Sequence, residues 1–175
     1  LGLYNQCPLT ELIIHPRVLK DFYKYNVRMN AFKEGFEESR HSVCYNGDIF
    51  RRKDYDRLVK EYPDLDKIMM GRGIMMNPFL MEEIADGTSQ KVSGKMSAAR
   101  KADRLEKFHR LLCDGYTHVM SGDRPVLFKM KELWGFLIHC CPEEEKLMKK
   151  IRKAQHLAEY EGVVSELFCR MREHE

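Results

Sequence analysis

No apolar run in this 175-residue chain approaches the roughly 20 residues a membrane-crossing helix needs, so no membrane partner is expected. Leu1 to Leu9 lacks a basic start and a long apolar centre and does not read as a signal peptide. There is no initiator Met, and Leu1 suggests a processed product or a piece of something longer. The six cysteines never fall into a C-x-x-C spacing; Cys7, Cys44, Cys113, Cys140, Cys141 and Cys169 are scattered, several among apolar neighbours. That pattern fits reduced thiols in a cytosolic protein better than a disulfide framework. His109, Cys113, His139 and Cys140 can be drawn as a metal set, but no flanking pattern supports one. Helix-packing thiols and surface imidazoles are expected instead, with no metal. Neither sign of charge dominates. The net charge is +3, with 14 basic and 14 acidic residues up to Gly94 and 16 and 13 beyond it, far short of a basic nucleic-acid tail.

What the chain does have is two short runs one helix-length apart, Tyr45-Asn46-Gly47-Asp48-Ile49 and Met69-Met70-Gly71-Arg72-Gly73-Ile74. Each follows a compact apolar stretch and reads as the end of a buried parallel strand turning into a glycine-bearing loop. Glycines let backbone N–H groups approach a phosphate closely, and Arg72 would add a charge-assisted contact. Asn46 and Asp48 fit either polar cofactor groups or an Asx turn. In a (β/α)8 barrel the loops after the seventh and eighth strands are the usual phosphate cradle. The pair therefore suggests a phosphate-bearing cofactor and places the start of the chain partway through such a barrel.

Up to about Gly87 strand and helix signals alternate. Leu9–Ile14 is a strand candidate ending at His15-Pro16-Arg17. A helix is expected over Asn30–Arg40, with Ala31, Phe32 and Phe36 on one face. A strand over Ser42–Tyr45, a helix over Arg52–Tyr62 with Tyr55, Leu58 and Val59 inward, and a strand over Leu65–Met70 follow. Asn77-Pro78 opens the next helix. Such a βαβαβα series makes parallel strands, and His15 at a strand end would point into the barrel mouth. Gly87–Gly94 is the expected domain boundary. Beyond it, Ser97 caps a long helix with Leu105, Phe108, Leu111, Leu112, Tyr116 and Val119 at helical spacing. Asp123 and Pro125 start another, through Phe128, Leu133, Trp134 and Leu137. Pro142 and Glu143–Glu145 open a third, and a fourth runs through Val163, Val164, Leu167 and Phe168. The four suggest a small bundle. Lys146, Lys149, Lys150 and Lys153 share one helix face and, with Lys129 and Lys131, fit either a phosphate backbone or an ordinary solvated surface.

His15-Pro16-Arg17, YNGDI at Tyr45–Ile49, MMGRGIMMNPFL at Met69–Leu80 and an all-helical tail together resemble the C-terminal portion of the tRNA-dihydrouridine synthase family. PVLFKMKELWGFL at Pro125–Leu137 is similar to that family's tRNA-facing segment. The resemblance implies an α/β fold. Residues 1–90 would be the last three βα units of an incomplete FMN-binding TIM barrel, and residues 95–175 an all-α tRNA-binding domain. It implies FMN as cofactor, NADPH as hydride donor, tRNA as partner, a cytoplasmic location and a monomeric full-length enzyme. His15, Arg17, Asn46, Gly47, Asp48, Gly71, Arg72 and Gly73 fall on cofactor-binding positions. The family's proton-donor cysteine belongs to an Asn-x-Gly-Cys-Pro motif that this chain lacks. Cys7-Pro8 stands in the wrong place, so no catalytic residue is assigned and the chain alone is expected to be inactive. Pro16 replaces the commoner glycine of the family's His-Gly-Arg, and Glu132 stands where a basic residue is frequent. Two other readings compete: another FMN barrel oxidoreductase acting on a small molecule, and a non-catalytic RNA-binding module.

Overall fold

A computed structural model describes residues 1–88 and 96–173, which fall into two compact units. Leu1–Ile74 and Phe79–Ala85 form the first, Met75–Pro78 and Asp86–Glu175 the second. Three parallel strands, β1 (Leu12–Ile14), β2 (Val43–Tyr45) and β3 (Lys67–Ile68), lie side by side in chain order. The helices α1 (Met29–Glu38) and α2 (Arg52–Glu61) connect them, as parallel pairing requires. Ile14, Tyr45 and Ile68 stand in one row. The ladder continues one residue further, with Asn46 N–H donating to Ile14 O at 2.9 Å and Met69 N–H to Tyr45 O at 2.7 Å. His15, Asn46 and Met69 thus start their loops at one level.

That row packs on an aromatic core. The Phe32 ring of α1 meets Tyr45 at 4.7 Å and Tyr62 at 5.1 Å, both edge-on, and Leu58 of α2 closes the cluster. Helix α2 starts where the Asp54 carboxylate accepts the N–H groups of Phe50 (3.2 Å) and Arg51 (3.0 Å), donors a helix start would otherwise leave unpaired. On the opposite face Ile13 of β1 is 46% exposed, whereas its row neighbour Cys44 is buried.

The strands are shorter than the Leu9–Ile14 and Leu65–Met70 runs predict, because ladder bonding begins only where a partner strand stands alongside. Ala31 is exposed; Phe32 and Gly35 make the buried face of α1, with Phe36 half-buried. The second glycine run is not wholly a loop either. A short helix, α3 (Arg72–Met76), begins at Arg72, and α4 (Leu80–Thr88) follows. Gly87, expected in the domain break, is still helical, and 89–94 lies outside the described residues.

The second unit is helical: α5 (Ala98–Val119), α6 (Asp123–Leu137), α7 (Glu145–Lys153) and α8 (Leu157–Glu173). Ser97 Oγ caps α5 by accepting Arg100 N–H at 3.3 Å. The stripe α5 buries is Ala102, Leu105, His109 and Cys113, whereas Phe108, Leu111 and Val119 are exposed, as is Phe128 on α6. His109 is therefore a core group and not a surface imidazole. The Tyr160 hydroxyl accepts Trp134 Nε1–H at 2.8 Å and stands 2.5 Å from His109 Nε2, to which it donates. Burial pushes the His109 imidazole down to about 4, keeping it neutral. Arg172 joins α8 to α5 through Asp103 (2.8 Å) and Glu106. No described helix is long and apolar enough to cross a membrane.

Candidate functional site

The loops that follow the three strands enclose a cavity of about 250 Å³ in the first unit. His15, Asn46, Gly47, Asp48, Gly71, Arg72 and Gly73 all line it; Arg17 does not, and reaches it through Asp48. The cavity is smaller than the roughly 300–1,000 Å³ usual for a whole organic ligand, and suits a phosphate and the first atoms attached to it. A larger cavity of about 520 Å³ lies between Met29, Tyr45, Asp54, Arg57 and Glu61. It lacks the glycines and carries extra carboxylates, so the strand-end cavity is the better anion site.

Asp48 organises the charges. One carboxylate oxygen takes Arg17 Nη2 and the other takes Arg72 Nη2 at 2.5 Å. A carboxylate shared by two guanidiniums repels a phosphate, so its part in anion binding is to position the arginines. Arg17 is nearly enclosed, its side chain 4% exposed, and its Nη1 donates to Tyr25 O. Its Nε is the one buried side-chain N or O atom left without a partner among the described residues. An unmet buried donor costs about 1–3 kcal/mol. His15 Nδ1 hydrogen-bonds Asn46 O. A carbonyl can only accept, so Nδ1 carries the proton, and Nε2 donates to an anion only when the ring is cationic.

The glycines divide by role. A Cβ on Gly47 would lie 2.0 Å from the Tyr45 hydroxyl, and one on Gly73 1.9 Å from Ile49 O. Both positions are glycine because the chain's own atoms pass there. Of the three cavity glycines, Gly71 alone would carry a Cβ that meets nothing within 4 Å. Its bare backbone opens toward free space.

Tyr23, Phe50 and Met69 also line the cavity, and sequence reasoning missed them. Tyr23 lies beneath Arg72, with the guanidinium carbon 4.0 Å from the ring centroid, and 6.2 Å from the His15 ring; Phe50 is 5.3 Å from the same guanidinium. The available signal was their place, since aromatics on loops just past strand ends fall at the mouth of the sheet. Phe22 and Tyr23 hold left-handed backbone, φ 44° and 62°. That costs about 1–2 kcal/mol per residue without glycine.

No cysteine lines the cavity. Cys44, Cys113 and Cys141 are buried and their thiols pushed up, Cys141 to about 12, so they resist ionisation. Among the described residues no group of three or more His, Cys, Asp or Glu could hold a metal ion.

In the second unit the six lysines differ in availability. Lys129 pairs with Glu132 at 3.0 Å, Lys149 with Glu145 at 2.9 Å and Lys150 with Glu166 at 3.5 Å. Lys131 donates to Ala154 O. Lys146 and Lys153 are exposed, with no ion pair among the described residues.

Over 80 residues the chain is 30% identical to the protein named tRNA-dihydrouridine synthase B of Shewanella oneidensis, an alignment covering 46% of this chain and 24% of that protein. The chain thus spans about a quarter of the length of the curated relative it matches. The family model described as Dihydrouridine synthase (Dus) matches residues 4–168, nearly the whole sequence. This chain belongs to the dihydrouridine synthase family.

Proposed function

We propose that this chain carries the cofactor-phosphate end and the RNA-facing helices of a cytoplasmic, FMN-dependent tRNA-dihydrouridine synthase, an oxidoreductase that reduces uridine in tRNA to 5,6-dihydrouridine with NADPH. One observation carries the reading: His15, Asn46, Gly71 and Arg72 meet at the ends of three adjacent parallel strands, with Asp48 between Arg72 and the buried Arg17. This donor set fits the phosphate of FMN. Arg72 and the backbone at Gly71 would hold its oxygens, with His15 beside them, and Asp48 would keep both guanidiniums aimed. Bound there, FMN supplies hydride transfer to the uracil ring. The chain's own groups bind and orient. The proton donor is proposed to lie elsewhere in a longer, monomeric enzyme, since no cysteine of this chain reaches the cavity.

Residues 1–90 are proposed as the last three βα units of a (β/α)8 barrel. The parallel order β1-β2-β3 and the exposure of Ile13 on the edge strand β1 support this, because parallel sheets are normally covered on both faces. Residues 95–175 are proposed as the tRNA-binding domain. Lys146 and Lys153 would meet phosphates first, and Lys129, Lys149 and Lys150 would exchange their carboxylate partners for RNA. Lys131 would contribute least, being held by Ala154.

Flavin-fluorescence titration of the full chain tests the reading. FMN should bind, and Arg72→Ala should weaken it by about 10-fold or more, the loss expected of one charge-assisted hydrogen bond. Uridine reduction by the chain alone is not expected. FMN affinity indifferent to Arg72→Ala would overturn the assignment.

A further inference from the structure

The loop between β1 and α1 is fastened at its ends and bare in its middle. Arg28 N–H donates to Pro16 O at 2.8 Å. The Arg28 guanidinium grips the buried Asp21 carboxylate, one bond at 3.0 Å, and Arg17 holds Tyr25 O. Between these fastenings Phe22 and Tyr23 keep their left-handed backbone, a conformation that persists only where its surroundings impose it. The result is to present aromatic rings outward: Phe22 is 72% exposed and Tyr25 65%. Neither makes a ring or cation contact among the described residues. Lys20 and Lys24 alternate with them, exposed and without ion pairs among the described residues. Tyr23 alone turns to the cavity, beneath Arg72.

Alternating exposed rings and ammonium groups match one chemistry, single-stranded RNA, whose unstacked bases offer π-faces and whose phosphates recur between them. We propose that residues 18–27 form a base-stacking rim at the mouth of the cavity. Phe22 and Tyr25 receive unstacked bases, Lys20 and Lys24 take the intervening phosphates, and Tyr23 ties the rim to Arg72. This rests on the RNA-modifying reading above and assigns that reading a substrate-facing surface outside the helical unit.

The test is titration of the full chain with labelled single-stranded oligouridylate and with an RNA duplex of equal length. The single strand should bind more tightly. Phe22→Ala and Tyr25→Ala should each weaken it by roughly 5- to 150-fold, the range for one base–aromatic stack, with an unchanged thermal midpoint because both rings are solvated. Lys20→Ala with Lys24→Ala should lower the salt slope by about one to two. RNA binding that ignores Phe22 and Tyr25 overturns the rim and leaves the proposed function standing. No RNA binding by the wild-type chain overturns both. Self-association abolished by Phe22→Ala, with RNA binding intact, makes the rim a protein contact and also overturns the proposal.

Discussion

Protonating His109 should destabilise the helical unit, and the effect can be separated from every other titration in the chain. In the fold the imidazole is 6% exposed, accepts the Tyr160 hydroxyl proton and is pushed down to about 4 from an ordinary 6.5. Between those two values the unfolded chain binds a proton that the folded chain refuses, so stability falls as pH falls. From pH 7 to pH 4.5 this amounts to about 2 kcal/mol, approaching about 3 kcal/mol below pH 4. His109→Phe keeps a ring of similar shape and removes the titration. It leaves the Tyr160 hydroxyl without its acceptor, a fixed cost of about 1–3 kcal/mol that does not vary over this range. Trp134 is the chain's single tryptophan, with its ring 5.7 Å from His109, so its fluorescence reports the unfolding of this unit. Urea titrations of both proteins at pH 7 and 4.5 give the double difference. Wild type should lose about 2 kcal/mol more than His109→Phe on acidification. Parallel losses in the two proteins, or an NMR titration of His109 near 6.5, would refute the reasoning.

The glycines make a contrasting pair. Gly73→Ala places a Cβ 1.9 Å from Ile49 O and should destabilise the first unit by more than about 2 kcal/mol, seen by hydrogen exchange in β2. Gly71→Ala should leave that exchange unchanged and lower FMN affinity instead. Asp48→Asn leaves the nearly buried Arg17 without its counter-ion, and denaturation should show a loss of about 2–3 kcal/mol. Lys146→Ala with Lys153→Ala should reduce the salt dependence of tRNA binding by about two slope units, while Lys131→Ala changes it little.

The alternation of strands and helices was readable in the sequence because apolar period and loop residues agreed over Ile14, Tyr45 and Ile68. The candidate residues came with it, since they sit immediately past those strand ends. What stayed hidden depended on partners distant in the chain. The exposed Phe108 and buried His109 of α5 invert ordinary hydrophobicity, because Tyr160, far along the sequence and itself bonded by Trp134, supplies the hydrogen bond that lets an imidazole be buried. Gly47 and Gly73 line the cavity, and the close approach of Tyr45 and Ile49, which leaves no room for a Cβ there, was not legible in the sequence. Asp48 fitted either a polar cofactor contact or an Asx turn, and its pairing with Arg17 and Arg72 depends on residues distant in the chain. The helix beginning at Arg72 was masked by two flanking glycines, which locally disfavour helix.

The shared level of Ile14, Tyr45 and Ile68 decides which length changes the site can survive. Side chains alternate faces along a strand, so one residue inserted within β1 would rotate His15 to the opposite side while its sequence neighbourhood stayed intact. The same insertion at 63–64, outside the ladder, would leave Arg72 where it is. Engineering of this domain should therefore treat 12–15, 43–46 and 67–69 as fixed-length blocks, and the linkers between helix and strand as the adjustable parts.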